Sequence, residues 1–333
     1  MIKKVLSILF EIIIKARHFL YDNCILKSLK HNIPIISIGN ISVGGTGKSP
    51  HVIKLVKEFS AAGKKVAVIS RGYKKKQKGL VVVHDGNGKF STPESGGDEP
   101  FMIAKSTNAI VISSPDRNFA LEYLKNNYYV DLVVLDDGFQ HRKIDRNFDI
   151  VLVDSVRFLG NRKVLPSGIL RDTITRLHFA DLIILTKIEN IDSSIATNEY
   201  NELKKFNKPV LFSEYKYLSL MNSHGESLDL NKIDESEIFL FTGIAMPDTF
   251  FNRFKYVKND CRQIFDDHHR FTEKEIQKII KASNAKNKKL IVCTEKDFVN
   301  IPVPVDERIY YLKMDVNIFN ENGKIDILDL VRI

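Results

Sequence analysis

The first twenty residues and the remainder of the chain follow different hydrophobic rhythms. Val5, Ile8, Leu9, Ile12, Ile13 and Ala16 recur at the i, i+3, i+4 spacing that stacks side chains on one face of a helix. Leu6, Phe10 and Ile14 widen that apolar side, and Lys4, Ser7, Glu11, Lys15 and His18 make a narrow polar stripe opposite. From His31 onward the pattern becomes a series of short apolar runs at Pro34–Gly39, Lys65–Ser70, Ala109–Ser113, Asp131–Leu135, Asp149–Asp154, Asp181–Thr186 and Pro209–Phe212. Most are continuous, as expected of strands covered on both faces. Helix-like stretches at His51–Phe59, Glu99–Lys105 and Asn118–Asn126 lie between them, and such alternation predicts a parallel α/β sheet. A second set follows at Glu237–Thr242, Pro247–Phe254, Thr272–Ala282 and Lys289–Thr294.

Met221–Asp234 is polar and turn-rich and reads as a linker, while Lys74–Lys78 and Gly86–Gly97 read as exposed loops. The expected organisation is an N-terminal helical region (1–30), a larger lobe (31–220) and a smaller α/β lobe (221–333) whose last residues can pack back on the larger one. The N-terminal helix allows two readings: an amphipathic helix packed on the protein's own core, or one lying in a membrane interface with its cations at headgroup level. Glu11 interrupts the apolar region and no small-residue cleavage site follows, so a secretory signal fits poorly. No run of 18 apolar residues is present to span a bilayer.

Charge sharpens the picture. Fifty Lys and Arg against 41 Asp and Glu leave a net charge of +9, which points to polyanionic company: nucleic acid, an anionic membrane surface or a phosphorylated substrate. Cys24, Cys261 and Cys293 form no CxxC pair, which argues against a disulfide framework or a zinc finger and for a reducing compartment.

The strongest chemical signal is Ser42-Val43-Gly44-Gly45-Thr46-Gly47-Lys48-Ser49, set between a strand and a helix. Glycines let the backbone curl so that successive N–H groups surround phosphate oxygens, and the following helix presents its positive end to the same anion. Lys48 can reach the β- and γ-phosphates, and the Ser49 hydroxyl can take a Mg²⁺ position. Ser42 stands where the strict pattern has glycine. With the alternating elements, this predicts a P-loop NTPase-like α/β fold, a mainly parallel sheet with helices on both faces. Asp131–Leu135 runs into Asp136 and Asp137, a strand tip that can bring an aspartate to a metal or can simply cap a turn. Gly97-Asp98-Glu99-Pro100 opens a helix, where Asp98 has the residue type of an N-cap. Asp266-Asp267-His268-His269 could bind metal or orient groups for proton transfer.

These segments together resemble the tetraacyldisaccharide 4′-kinase (lipid A kinase) family. The similarity runs through Ile36–Pro50, Ser70-Arg71-Gly72-Tyr73, Gly97–Pro100, Leu135–Arg142, Leu165–Arg171, Asp267-His268 and Thr294–Asp297, in the family's order. It implies transfer of the γ-phosphoryl of ATP, with Mg²⁺, to the 4′-hydroxyl of tetraacyldisaccharide 1-phosphate, giving lipid IVA. It also implies a peripheral protein on the cytoplasmic face of the bacterial inner membrane, and it shifts the N-terminal helix toward the interfacial reading. By the same resemblance, Ser42 to Ser49 hold nucleotide, Lys48 and Arg171 lie at the phosphates, and Ser49, Asp136 and Asp137 lie at Mg²⁺. Asp98 would accept the sugar hydroxyl's proton with His268 as its partner, and Arg71, Tyr73, Arg117, Gln140 and His141 would face the acceptor lipid. Two departures stand out: Ser49 where threonine is commoner, and Asp172 where glutamate usually follows the arginine, so Asp172 carries no assigned role.

The rival is a P-loop GTPase or metallochaperone ATPase of the switch type. It would carry Asn-Lys-x-Asp after a strand, which Thr186-Lys187-Ile188-Glu189 and Thr294-Glu295-Lys296-Asp297 only approach. A nucleic-acid partner is disfavoured by the absence of Trp and of any recognisable nucleic-acid motif.

Overall fold

The structure, a computed structural model, describes residues 2–188, 194–302 and 306–331. The chain divides into two compact units, residues 1–215 with 316–333, and residues 216–315.

In the first unit, strands β1 (Ile35–Asn40), β2 (Val66–Ser70), β3 (Val81–Asp85), β4 (Ile110–Ser113), β5 (Leu132–Asp136), β6 (Phe148–Asp154), β7 (Leu182–Thr186) and β8 (Val210–Met221) form a sheet. Their order is β8-β7-β6-β1-β5-β2-β4-β3. The pairs from β8 to β4 are parallel, and only the edge strand β3 runs antiparallel. β1 lies between β5 and β6, so the chain builds outward from it in both directions. The crevice beyond the C-terminal end of such a switch strand is the usual ligand position in open α/β sheets.

Helices α1 (Ile2–Asp22), α2 (Lys48–Ala61), α3 (Pro93–Gly96), α4 (Asp98–Ser106), α5 (Arg117–Asn127) and α6 (Ser194–Lys204) complete this stretch of chain. The strands explain why both faces are covered. Ile36, Ile38, Leu132 and Val134 pack with Val52, Leu55, Val56 and Phe59 of α2 and with Ile103 of α4. The alternate residues Ile35, Val133 and Leu135 pack with Ala120, Leu121 and Leu124 of α5. Each fully buried aliphatic or aromatic side chain stabilises by roughly 1.5–3 kcal/mol, so this double burial fixes the register of β1 and with it the position of the loop that follows.

The second unit is built on β10 (Ile238–Thr242), β11 (Arg262–Ile264), β12 (Leu290–Thr294) and the start of β13 (Ile309–Asn320), preceded by β9 (Ser227–Asp229). β11-β10-β12-β13 pair in parallel. They bury α7 (Pro247–Phe251) through Phe250 and Phe251, and α8 (Glu273–Ala285) through Ile276, Ile279 and Ile280. Thr272 and Glu275 form a capping box that starts α8. The short α9 (Glu295–Phe298) follows β12, and β14 (Gly323–Lys324) and α10 (Ile327–Leu330) come after the chain re-enters the first unit.

Several sequence expectations change here. The stretch read as a linker contains β9, paired antiparallel with β8, and Leu228 and Leu230 pack on the hydrophobic core. The Gly86–Gly97 loop contains α3, started by a Thr92–Ser95 capping box, with Gly96 buried. β3 and β13 are further strands that the apolar runs do not predict.

The largest surprise is α1. Its buried residues are Ser7, Ile14, His18 and Tyr21, a seam that takes Ser7 and His18 from the polar stripe and Ile14 from the apolar side. The apolar face points outward: Val5, Ile8, Ile12 and Ile13 are between 52% and 63% exposed. The core-packing reading of that face therefore fails. Among the described residues, no helix is long and apolar enough to cross a membrane.

Candidate active site

The phosphate loop leaves β1 at Asn40 and enters α2 at Lys48, with Gly47 as N-cap in a left-handed conformation (φ 84°). A Cβ there would collide with the Tyr215 hydroxyl, so the position requires glycine on two counts. The loop's carbonyls are tied away from its centre. Asn40 Nδ2 donates to the Ser42 carbonyl and to Thr46 Oγ1, both at 2.9 Å. Arg157 Nη2 donates to Val43 O at 2.7 Å, Lys187 Nζ to Gly45 O at 2.7 Å, and Thr186 Oγ1 to Thr46 O at 3.2 Å. His51 Nδ1 lies 2.7 Å from Gly47 O, and its Nε2 lies 2.9 Å from Ser213 Oγ. With the carbonyls held back, what the loop can offer an anion is its amide N–H groups and the N-terminal end of α2. Asn40, Arg157, Lys187 and His51 were not singled out for this role. Lys187 lies in the segment that only approaches a guanine signature, Asn40 lies in the Ile36–Pro50 stretch without a role of its own there, and Arg157 and His51 carry no local signal.

The sheet register brings the paired aspartates beside the loop. Ile38 of β1 is level with Asp136 of β5, and Ile69 of β2 is level with Leu135. Ser70 Oγ consequently donates to Asp136 Oδ2 at 2.8 Å. The other oxygen, Asp136 Oδ1, is buried without a hydrogen-bond partner among the described residues. Burial, then the nearby charges of Glu99 and Asp137, push the Asp136 pKa up to about 6. Asp137, with positive φ, turns the other way. Burial alone would raise its carboxyl, but hydrogen bonds from Arg171 and the charges of Lys48, Arg171 and Arg117 outweigh that and hold it well below the usual range. Arg171 grips both Asp137 oxygens, one at 2.9 Å, and Lys48 Nζ lies 3.6 Å from Asp137 Oδ1. Arg171 also donates to the Asn40 carbonyl, at 3.1 Å from Nη2.

Asp98 is the first residue of α4, at 3% exposure, and Gly97 is the N-cap. Capping is therefore not what Asp98 does. Its place in the first turn favours negative charge at that carboxyl. His268 belongs to the second unit, where its N–H donates to Gly243 O at 3.1 Å and its Nε2 lies 3.2 Å from Lys296 Nζ. In the same unit, buried Asp297 accepts from Thr242 Oγ1 and Thr294 Oγ1, each at 2.6 Å, and from Gly243 N at 2.8 Å, which braces the strand ends beside His268.

The acceptor candidates separate. Arg117 is buried, and its guanidinium donates to the Asp136 carbonyl at 2.7 Å and the Asp137 carbonyl at 3.0 Å. It holds the aspartate turn and is not placed to meet a headgroup. Gln140 Nε2 donates to Asn40 O at 2.8 Å and so braces the start of the loop. Burial, with the surrounding Arg117 and Arg146 charges, lowers the His141 pKa to about 4, so its ring is neutral at pH 7. Arg71 and Tyr73 are exposed and line a cavity of about 380 Å³ with Lys74 and Lys78. Lys75 of the basic run turns inward, donating to Gly79 O and to Ser113 O at 2.5 and 3.0 Å.

Oxygen donors dominate the centre. Among the described residues, no three His, Cys, Asp or Glu side chains could hold a metal by themselves. The open Asp136 oxygen with the Ser49 hydroxyl nevertheless fits Mg²⁺, which takes few protein ligands and completes its shell with phosphate and water. Asp137 fits less well as a direct ligand because Arg171 occupies both of its oxygens.

Comparison with known proteins points one way. The sequence profile of the LpxK family, described as tetraacyldisaccharide-1-P 4′-kinase, matches residues 1–331. The tetraacyldisaccharide 4′-kinase of Porphyromonas gingivalis (strain W83) is 35% identical, covering 97% of this chain and 94% of that protein. Those of Flavobacterium psychrophilum and Haemophilus influenzae are 35% and 34% identical, covering 96% and 94% of this chain and 93% and 87% of those proteins. The crystal structure of LpxK from Aquifex aeolicus, in complex with ATP, superposes with a TM-score of 0.77 at 29% identity, covering 98% of this chain and 96% of that one.

Proposed function

The chain belongs to the tetraacyldisaccharide-1-P 4′-kinase family, and on that premise we propose that it transfers the γ-phosphoryl group of ATP to the 4′-hydroxyl of tetraacyldisaccharide 1-phosphate. The observation that carries this reading for the site is the convergence of Lys48, Arg171 and Asp137 on the mouth of a loop whose Val43, Gly45 and Thr46 carbonyls are held by Arg157, Lys187 and Thr186. Phosphoryl transfer needs little covalent chemistry from a protein; positioning and charge stabilisation dominate. The amides of 44–49 would hold the β- and γ-phosphates, with Lys48 neutralising them. Arg171 would swing between Asp137 and the charge that develops on the transferred group. Asp98 would take the proton of the attacking hydroxyl, and His268 would tune that carboxylate. Asp136 and Ser49 would hold Mg²⁺, which when bound neutralises phosphate charge. Arg71, Tyr73 and the basic loop would meet the acceptor's phosphate.

An acceptor with four acyl chains stays in a bilayer, so the enzyme must work at its surface. The outward apolar face of α1, flanked by Lys3, Lys4, Lys15 and Arg17 on a chain of net charge +9, suits an anionic membrane interface. We place the protein there as a peripheral protein on the cytoplasmic face of the inner membrane. The switch-type GTPase reading has no comparable support.

The test incubates purified protein with labelled ATP, Mg²⁺ and the disaccharide 1-phosphate lipid in detergent. The expected product is the bis-phosphorylated lipid. Its absence from folded protein overturns the kinase reading.

A further inference from the structure

α1 meets the rest of the first unit through several polar contacts: Arg17 donates to Gln140 O and Asp22 pairs with Arg142, while three others fall on residues 164–172 beside the phosphate loop. Ser7 Oγ donates to Val164 O at 2.6 Å, and Ser167 Oγ donates to Lys3 O at 2.8 Å. His18 Nε2 lies 2.7 Å from Asp172 Oδ1, with both side chains almost fully buried. The same segment is bound on its other side to the start of the loop: Val43 N donates to Ile169 O at 2.8 Å, and Arg171 N donates to Ile41 O at 2.8 Å. Residues 164–172 are therefore a single layer between the interfacial helix and the phosphate loop, and Asp172 directly follows the arginine that grips Asp137.

The hydrogen-bond pattern assigns the histidine tautomer. Arg142 Nη1, which can only donate, lies 3.4 Å from His18 Nδ1 and 3.1 Å from His18 O. Nδ1 is then the acceptor, and Nε2 carries the proton donated to Asp172. Asp172 Oδ1 also accepts from Thr173 N at 2.8 Å, so its carboxylate is fixed from two directions. A seam of greasy side chains could slide along its groove. A buried polar pair fixes one register, because any slip leaves a charge without its partner.

We infer that His18 and Asp172 are positioning residues for Arg171: by fixing the 170–172 backbone they set where the Arg171 guanidinium meets Asp137 and the transferred phosphate, so that α1 serves turnover as well as membrane attachment. This rests on the kinase reading above. It also gives Asp172 a role: the shorter side chain, where the family usually has glutamate, is bonded to α1. A displacement of about 1 Å at a group that stabilises transferring charge can cost on the order of a hundredfold in rate.

The experiment separates attachment from positioning. His18→Ala, His18→Gln and Asp172→Asn are compared with Ile12→Glu on the outer face. Turnover is measured in detergent micelles, and binding by co-sedimentation with phosphatidylglycerol–phosphatidylcholine vesicles. His18→Ala is expected to lower kcat by roughly ten- to a hundredfold, with KM for ATP little changed and vesicle binding as in wild type. His18→Gln, which keeps a donor near the Nε2 position, recovers most of that loss. Ile12→Glu is expected to weaken vesicle binding, the readout that His18→Ala leaves unchanged. Should His18→Ala fail to fold, Asp172→Asn carries the comparison, and its kcat must fall in the same way. Wild-type kcat in His18→Ala or Asp172→Asn overturns the inference, as does a loss that His18→Gln does not restore. Wild-type protein that yields no phosphorylated lipid overturns the kinase reading itself, a different and distinguishable result.

Discussion

Asp136 makes the nucleotide-free protein less stable than it could be. Its carboxyl is 2% exposed, Ser70 satisfies one oxygen, and the other has no hydrogen-bond partner among the described residues. Burial first, and the Glu99 and Asp137 charges second, raise its pKa from 3.8 to about 6. That difference of about two units, at about 1.4 kcal/mol each, makes the ionised form cost about 3 kcal/mol of folding stability. Because the folded pKa lies above the unfolded one, the native state binds this proton more tightly. The cost is absent below about pH 4, grows as pH rises through 6 and is constant above. Asp136→Asn keeps the shape and removes the charge. It should raise stability by about 2–3 kcal/mol at pH 8 and by almost nothing at pH 4, while transfer activity falls at least a hundredfold. Urea unfolding of nucleotide-free, metal-free protein at the two pH values, beside the lipid kinase assay, measures both effects. A variant less stable than wild type at pH 8, or a gain that does not shrink on acidification, would refute the reasoning.

Three other expectations follow from the same geometry. Burial lowers the His51 pKa from 6.5 to about 4, so its contribution to stability is complete above pH 6.5 and lost as pH falls through 4. That amounts to about 3 kcal/mol, read as a loss of wild-type stability on acidification that His51→Gln lacks; equal acid sensitivity in the two proteins contradicts it. In Gly39→Ala the added Cβ would lie 2.6 Å from Phe139 Cβ, so urea unfolding should show a loss of roughly 1–3 kcal/mol, and unchanged stability would mean the strand end yields easily. Lys48→Ala should lower kcat by about a thousandfold with circular dichroism unchanged; near-normal turnover would remove Lys48 from the phosphates.

How much of this was legible in the sequence depends on how local the determining interactions are. β1, the glycine-rich loop and α2 are contiguous, so an apolar run, a glycine-rich turn and a following helix suffice to read them. Asp136 and Asp137 are legible because a strand tip points its last residues at the end of the sheet. The orientation of α1 was not legible. Periodicity defines two faces, but what lies against each is a tertiary fact, and here the seam containing Ser7 and His18 packs inward. Arg117 illustrates the same limit. Nothing in its surroundings distinguishes an arginine that waits for a ligand from one buried against two main-chain carbonyls. The His18–Asp172 pair spans 154 positions, and no spacing rule reaches that far. β13 is not legible because its burial alternates irregularly, mixing buried and half-buried positions without a clean period of two.

The claim beneath all of this is that the amides of 44–49, with Lys48, Asp136 and Asp137 around them, receive a triphosphate whose terminal group faces Asp98. A crystal structure with a non-hydrolysable ATP analogue and Mg²⁺ measures that directly. The account predicts the phosphates along the loop, the metal beside Ser49 Oγ and Asp136, and the Asp98 carboxylate open to the space beyond the γ-phosphate. Phosphates bound elsewhere, or a γ-phosphate turned away from Asp98, would contradict it.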